Sequence, residues 1–599
     1  MQTTIFDIET NGIKNFIHLD GLEKIHCIAL MDIGDDKPRL LPVDAALEHL
    51  RKADIIVGHN CQAFDIRAIQ KLYPNWNYTG CVRDTLLLSR LAYPDVRTND
   101  FKRVNFPSNL AGSHSLKSWG IRLGILKGDF GETSDWSEYS EEMGEYCKQD
   151  VLVTKALWDK LESLDLSADA VIREHEFARI IRQQERNGIG FNVKKAQHLY
   201  SELVGKRLDI ETKMRKEFPP TIQTMKTPQY YLDESTGEQY LKKKDAPSKL
   251  QKELVAGPMK IKKTPFNPGS RLEIARVLKD KYGWKPTVFT GEGRPKVDES
   301  VLSSLEYPEA KEFALYLLIT KRLGMLGDGN EAWLKLERNG KIHGEVNTNG
   351  AVSTRCTHRR CNMAQVPSVG SPWGTECRSL FRPTSPDNIM VGVDASSLEL
   401  RTLSHYLHPY DDGEYVAHIL DGDIHTVNQN AAGLSSRNEA KVMIYSMIYG
   451  AGDDRLGKIV GGGRREGRHL RERFLSRMPA IEILQNRAKS KDILRALDGR
   501  KLPVRSKHSA LNLLLQSAGA IIMKEATILM HRIFAENKIK GVRQLAHVHD
   551  EVQFECPREL GDRVGELAVR AIRETTEVFG FRCPLDGEFR IGNNWAETH

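Results

Sequence analysis

Residues Ile389–Val393 form a short apolar run that ends in a single carboxylate, Asp394, and the segment behind it, Ser396-Ser-Leu-Glu-Leu-Arg401, opens with helical spacing. A buried strand that delivers a carboxylate constrains the chain strongly. The charge must meet a cation or hydrogen-bond donors, because an unpaired charge in the interior is costly. Far downstream, Leu545-Ala-His-Val-His-Asp-Glu-Val-Gln-Phe554 reads as two short strands folded back at His549-Asp550, with β-branched and aromatic residues on either side. Asp394 and Asp550 are expected to meet in space. Such a pair would hold two Mg²⁺ ions roughly 3.5–4 Å apart and suit phosphoryl transfer.

At 599 residues the chain is too long for one core, so roughly two to four domains are expected. No apolar run reaches the ~18 residues of a membrane span. The opening Met-Gln-Thr-Thr-Ile-Phe-Asp7 lacks the basic and apolar regions of a signal peptide. Nine cysteines without a CxxC pair point to free thiols in a reducing, cytoplasmic setting. The net charge of +7 is unevenly spread. Residues 1–150 carry 17 Lys and Arg against 22 Asp and Glu, whereas residues 455–507 carry 16 against 5. Basic charge concentrated in this way suits a polyanionic partner.

Apolar runs at Thr3–Ile8, Ile25–Met31 and Ile55–Val57 alternate with helical patterns, which predicts an α/β domain over residues 1–165. A helix follows, with Ile172, Phe177, Ile180 and Ile181 able to share one face, and Asn187-Gly188 stops it. Residues 216–270 are rich in Lys, Pro, Gln and Thr with little apolar periodicity, which predicts an exposed and mobile basic insertion. Helical signals resume at 271–282 and 308–325, short strands appear after Lys341, and helices dominate from 411 to 540.

Two further constellations carry chemistry. Asp7 and Glu9 stand two apart on a strand and so point to one face. Asp65 follows in Asn60-Cys-Gln-Ala-Phe-Asp65, and Tyr146 and Asp150 stand four apart on one helix face. Four convergent carboxylates make a hard-oxygen cage for two Mg²⁺ or Mn²⁺ ions, with Tyr146 placed to orient an attacking water. In Arg437-Asn-Glu-Ala-Lys-Val-Met-Ile-Tyr-Ser-Met-Ile-Tyr-Gly450, residues Arg437, Lys441, Tyr445 and Tyr449 fall four apart on one stripe. Two cations followed by two aromatic rings match a nucleoside triphosphate.

These stretches resemble known families. The ordered set DIET, NxxxFD and YxxxD is similar to the three motifs of the DnaQ-like 3′–5′ exonucleases, and DASSLELR, R-x3-K-x3-Y-x3-YG and VHDE resemble motifs A, B and C of the family A (Pol I-like) DNA polymerases. The wording is nearest the replicative polymerases of podophages. The resemblance implies a mixed α/β fold: an RNase H-like exonuclease domain at 1–165, then a right hand. Its thumb would span 166–340 with the basic insertion at 216–265, its palm 341–410 and 541–599, and its fingers 411–540. It implies template-directed DNA synthesis with proofreading, which would replicate phage DNA in the host bacterial cytoplasm.

The resemblance also assigns roles. Asp394 and Asp550, helped by the Ala395 carbonyl, would hold one pair of Mg²⁺ ions (Mn²⁺ substituting), and Asp7, Glu9, Asp65 and Asp150 a second pair. Lys441 and Arg437, with His425 nearby, would hold the triphosphate, and Lys441 would protonate the leaving pyrophosphate. Tyr445 and Glu399 would crowd the sugar 2′ position, and Tyr449 would stack near the templating base. Arg355, His508 and Gln516 would read the minor groove, while His549 and Glu551 orient the primer end. Tyr445 in place of Phe implies weak discrimination against dideoxynucleotides. Primer-template DNA and dNTPs are the implied partners, with a helicase-primase and a host or phage processivity factor beyond them. The insertion is shorter than the thioredoxin-binding loop of some phage relatives, which argues against thioredoxin.

Overall fold

The three N-terminal apolar runs become neighbouring strands because each can bury both of its faces. A computed structural model describes residues 1–125 and 135–599. In it, β1 (Thr3–Thr10), β2 (Ile25–Asp32) and β3 (Arg39–Leu41) are followed by α1 (Val43–Lys52), β4 (Ile55–Gly58), α2 (Asp65–Leu72), β5 (Cys81–Asp84) and α3 (Thr85–Ala92). The mixed sheet runs β3-β2-β1-β4-β5, antiparallel among the first three strands and parallel from β1 to β5. Phe6 and Ile8 face a core with Leu47, Leu50 and Ile69. Ile5 faces the opposite core, with Cys147, Val151 and Leu157 of α4 (Glu141–Glu162). Strand alternation therefore turns Asp7 and Glu9 toward α4.

Helix α5 (Ala168–Asn187) corrects the sequence reading of its buried face. Ile172 is exposed, whereas Arg173, Glu174 and His175 are buried with Phe177, Ile180 and Ile181. The chain divides into two compact units, one of Met1–Asn192 with Glu337–His599 and the other of Val193–Leu336. The region expected to form the thumb from 166 thus separates at Val193, and α5 stays with the larger unit.

The smaller unit holds α6 (Val193–Glu217) and, further on, α7 (Pro308–Leu323) around a core of Met214, Phe218, Phe266 and Phe313. Its basic segment is exposed, as the sequence suggests, and carries strands that the sequence does not announce. It builds β6 (Thr221–Pro228), β7 (Tyr231–Leu232), β8 (Gln239–Tyr240), β9 (Val255–Ala256) and β10 (Met259–Thr264). Strands β6 and β10 pair as a two-stranded ribbon, and β9-β7-β8 form a small sheet.

Returning to the larger unit, a hairpin of β11 (Glu345–Asn347) and β12 (Thr357–Arg359) precedes β13 (Asn388–Ala395) and α8 (Leu398–Asp411). Helices α9 (Ile424–Ala432) and α10 (Arg437–Ile448) pack into a core with Leu403, Met443, Ile444 and Phe474. Then come α11 (Ala510–Glu536), β14 (Arg543–Val548), β15 (Glu551–Pro557), α12 (Gly561–Val578) and β16 (Gly587–Gly592). The antiparallel sheet runs β14-β15-β13-β16. Its apolar face packs on α11 and α12 through Val391, Val393, Phe554, Met530 and Ile572. Among the described residues one helix, Lys507–Glu536, is long and apolar enough to cross a membrane, and 78% of its apolar window is buried inside the protein. That burial accounts for its hydropathy, as a helix apolar on all sides is a core helix.

Candidate active sites

The register of the antiparallel sheet assembles the first site. Asp394, at the end of β13, pairs with Glu551 of β15 on one side and Glu588 of β16 on the other. The Ala395 amide donates to the Asp550 carbonyl at 3.0 Å, so Asp394 and Asp550 lie at adjoining positions of neighbouring strands. Two residues in the left-handed region shape the turns: His549 (φ +59°) at the β14–β15 tip and Ser397 (φ +52°) before α8. Burial first, then the charges of Asp550 and Glu551, push the Asp394 carboxyl up to about 7. This carboxylate lacks enough positive charge around it, which is the condition a cation would relieve.

Glu551 is differently placed. It is buried and accepts hydrogen bonds from the Trp595 indole and from Gln553 Nε2 at 2.6 Å, with His599 Nδ1 at 3.2 Å and Arg378 Nη1 at 3.7 Å. Burial acts to raise its carboxyl, but His599, Arg378 and Trp595 together hold it below the usual range. Trp595, His599 and Arg378 were not among the expected site residues, because no motif spacing ties them to the Asp394–Asp550 pair before the chain folds. His549 is exposed at the turn, and desolvation with the Arg355 charge holds its imidazole below the usual range.

Helix α10 opens with a capping box in which Ser436 and Glu439 satisfy each other's backbone amides, and this fixes where its stripe begins. Arg437 is bonded to Asp423, the residue that caps α9 by accepting from the His425 amide at 3.1 Å. His425 itself is buried, its ring 6.4 Å from that of Tyr445. Lys441 is exposed. The Tyr449 hydroxyl lies 2.6 and 2.7 Å from the two oxygens of Glu399, and Arg355 Nη2 stands 3.4 Å from the same carboxylate. Glu399 thus meets Tyr449, where Tyr445 was the expected partner. The Tyr445 phenol is pushed up to about 12 by burial and then by the charges of Glu399 and Asp550.

The remaining expected contacts are spread over two cavities. Gln516 lines a cavity of about 340 Å³ with Gly350–Ser353 and Asn512. His508 lines another of about 580 Å³ with Gly450–Asp454. Gly450 ends the stripe at φ +75°, and a Cβ there would stand 2.6 Å from the His508 carbonyl, so glycine is required where α10 meets the turn before α11.

The second cluster is built from separate elements. Ligand atoms of Asp7, Glu9 and Cys147 all lie within 4.8 Å of one another. Asp65 is buried at the start of α2. Burial, then Asp84 and Asp150, push it up to about 7, although the Ile8 amide of β1 bonds it and acts the other way. Asp84 and Asp150 therefore stand close to Asp65, and Asp84 accepts from the amides of Asn60 (2.9 Å) and Gln62 (3.1 Å). The Tyr146 ring meets Trp136 edge-on at 6.2 Å. Cys147, one residue after Tyr146, donates its thiol to the Asp7 carbonyl at 3.4 Å. Nothing in its spacing marked it beforehand.

Comparison with known proteins agrees with this geometry. The family model described as DNA polymerase family A matches residues 238–597. The DNA-directed DNA polymerases of Enterobacteria phage T3 and Escherichia phage T7 are each 34% identical over 712 aligned residues, covering 99% of this chain and 100% of theirs. DNA polymerase I of Aquifex aeolicus is 23% identical over 99% of this chain and 95% of its own. In fold, the chain resembles the POL domain of Pol1 from M. smegmatis, solved in complex with DNA primer-template and dNTP, at a TM-score of 0.74 and 17% identity over 99% of this chain and 96% of that one. A sheet that sets Asp394 beside Asp550, a family match over more than half the sequence and relatives alike from end to end lead to one conclusion: this chain belongs to DNA polymerase family A.

Proposed function

We propose that this protein extends a DNA primer on a template at the Asp394–Asp550 site and removes mispaired 3′ nucleotides at the Asp7–Asp150 site. The observation that carries the reading is the Ala395–Asp550 backbone hydrogen bond, which sets two distant carboxylates at adjoining positions. The donor chemistry fits divalent magnesium at both sites: hard carboxylate oxygens in excess of nearby cations, with Asp394 and Asp65 each held near 7. Asp394, Asp550 and the Ala395 carbonyl would hold the ions of one site, and Asp7, Glu9, Asp65 and Asp150 those of the other. Bound there, Mg²⁺ or Mn²⁺ supplies Lewis acidity and a lowered pKa for a coordinated oxygen.

The chain's own residues do the rest, and mostly by positioning. The primer 3′-oxygen attacks the α-phosphorus and pyrophosphate leaves. Lys441 neutralises the triphosphate and gives the leaving pyrophosphate its proton. Arg437 joins it on exchanging Asp423 for phosphate, with His425 alongside. Tyr445 and Glu399 exclude a ribose 2′-hydroxyl, and Tyr449 stacks near the templating base after releasing Glu399. Arg355, His508 and Gln516 check the shape of the new pair in the minor groove, where acceptors differ little among correct pairs. His549 and Glu551 support the primer end. At the second site Tyr146 orients the attacking water.

In this reading residues 1–165 are the exonuclease, Val193–Leu336 the bulk of the thumb, 341–410 and 541–599 the palm, and 411–540 the fingers. The phage relatives favour replication in a bacterial host's cytoplasm, alongside a helicase-primase and a host or phage processivity factor, for which the short insertion does not favour thioredoxin. Primer extension from matched and mismatched 3′ ends tests the core of the proposal. Purified protein that lengthens neither primer would end it.

A further inference from the structure

In the larger unit, α5, the β11–β12 hairpin and the N-terminal α/β region enclose a cavity of about 390 Å³ that belongs to neither carboxylate cluster. Six arginines line it: Arg67, Arg90, Arg182, Arg186, Arg359 and Arg360. Two glutamates stand against them, and both are occupied. Glu185 takes Arg182 at 2.7 and 2.6 Å, and Glu345 is shared by Arg359 at 2.7 Å and Arg360 at 2.9 Å. Among the described residues Arg67, Arg90 and Arg186 form no ion pair. Arg67 is held instead by the carbonyls of Ala63 and Ile17. Burial, followed by Arg182 and outweighing Asp84, pulls the Arg90 guanidinium down to about 10. Six guanidinium groups against two carboxylates leave an excess of positive charge that an anion would offset, and their planar fork matches phosphate.

The cavity's position says which anion. On one side it is lined by Asn60 and Ala63, the latter two residues before Asp65, and by Phe16, whose ring stacks on Phe64 at 5.8 Å. On another it is lined by His358 of β12, and the turn at Met363–Gln365 that packs on β12 packs also on β14, the strand that leads to Asp550. It therefore adjoins both proposed sites. We propose that this arginine cavity binds the phosphodiester backbone of the single-stranded primer 3′ end as it passes from the palm to the N-terminal carboxylates. The assignment rests on the two-site reading above. Arg67, Arg90 and Arg186 carry the phosphates, and the Phe16–Phe64 pair offers an apolar platform for a base.

The test uses the full chain with Mg²⁺ on two substrates, a primer-template ending in a mismatch and a single-stranded oligonucleotide, with nucleoside monophosphate as competitor. Arg90→Gln/Arg186→Gln should slow mismatch removal about tenfold and lower the log–log salt slope of trimming by roughly 1.4, at ~0.7 per lost phosphate contact on a single strand. Extension of a matched primer and the melting temperature should stay as in the wild type, and Arg90→Lys/Arg186→Lys should restore the salt slope. Unchanged trimming and slope overturn the proposal, as does a fall in extension equal to the fall in trimming. Loss of monophosphate competition with unaltered trimming overturns it too, because the cavity would then hold a free nucleotide. Wild-type protein that trims neither substrate removes the two-site reading and this proposal with it. Trimming that survives in the variants removes this proposal alone.

Discussion

The two carboxylate clusters reach similar donor chemistry by different construction. In the β14-β15-β13-β16 sheet, backbone register sets the geometry: Asp394 faces Glu551 and Glu588, and Asp550 follows by one hydrogen bond. A slip of one residue would turn the aspartate to the other face, so the register is the site. In the N-terminal region Asp7 and Glu9 come from β1, Asp65 from the start of α2 and Asp150 from α4. No single ladder spans them. Side-chain packing of Ile5, Cys147 and Val151 between sheet and helix holds the distance instead. A site fixed by a ladder survives core substitutions that a site fixed by packing does not.

Removing one aspartate from each cluster is the sharpest way to break this comparison. Asp550→Ala should lower primer extension by on the order of 10³-fold while trimming persists, and Asp7→Ala should do the reverse. Rates on matched and mismatched primers measure both at once. Parallel loss of the two activities in either variant would show that the clusters are not independent sites.

They nevertheless share one structural unit, held by buried charges between α5 and α11. Lys524 Nζ and Arg500 Nη1 each stand 2.6 Å from Glu174 Oε1, Arg173 joins Asp498 at 3.1 Å and Glu525 at 2.6 Å, and His175 accepts from the Asp84 amide at 2.9 Å. Lys524→Met leaves Glu174 with one fewer partner in the interior, which should cost about 3–5 kcal/mol. Denaturant unfolding should report that loss, with extension and trimming failing at one common midpoint. Separate midpoints would mean that the two clusters rest on separately folding regions.

That charge cluster also shows where sequence reading fails. Periodicity placed Ile172 inside and gave no sign that Arg173, Glu174 and His175 are buried, because the partners of Arg173 and Glu174 lie more than 300 positions away and that of His175 lies 91 away. The ribbon of β6 and β10 failed for the opposite reason: both strands are almost wholly exposed, so no apolar alternation exists to announce them. Elements that bury one face were legible. The runs at Thr3–Ile8, Ile25–Met31 and Ile55–Val57 are strands β1, β2 and β4, and the stripe from Arg437 lies on α10. Motif carboxylates could be paired across long separations because each sits in a short local pattern that resembles a known motif, whereas Cys147 and His599 enter the sites only through folding. The Tyr449–Glu399 contact joins two helices whose packing the sequence does not specify.

Protonation should separate the clusters more gently. Asp394 and Asp65 are both raised from 3.8 to about 7. Without metal, the folded chain keeps protons that the unfolded chain releases near 3.8, so their contribution to stability is complete below that pH and is lost as pH rises through about 7. Added Mg²⁺ should therefore raise the melting temperature more above pH 7 than below it, by roughly 1–2 °C for each cluster. Asp394→Asn should remove the palm's share and Asp65→Asn the other. A magnesium effect independent of pH would contradict the raised values.

The smallest effect concerns the Tyr445 hydroxyl. Both Glu399 oxygens are engaged by Tyr449, and the Tyr445 hydroxyl makes no hydrogen bond among the described residues. It is thus available to a bound nucleotide, where it can stand in for the hydroxyl that a dideoxynucleotide lacks. One such hydrogen bond is worth about 0.5–1.5 kcal/mol, so Tyr445→Phe should disfavour ddNTP relative to dNTP by roughly tenfold, from near equality in the wild type. The measurement needs an Asp7→Ala background, because trimming at the N-terminal cluster would otherwise remove terminators and disguise the palm's own choice. Equal ddNTP use in Tyr445→Phe would sink the assignment. A change that vanishes in the Asp7→Ala background would move the discrimination from the Asp394–Asp550 site to the N-terminal cluster, since only trimming, as proposed there, would act after the bond has formed.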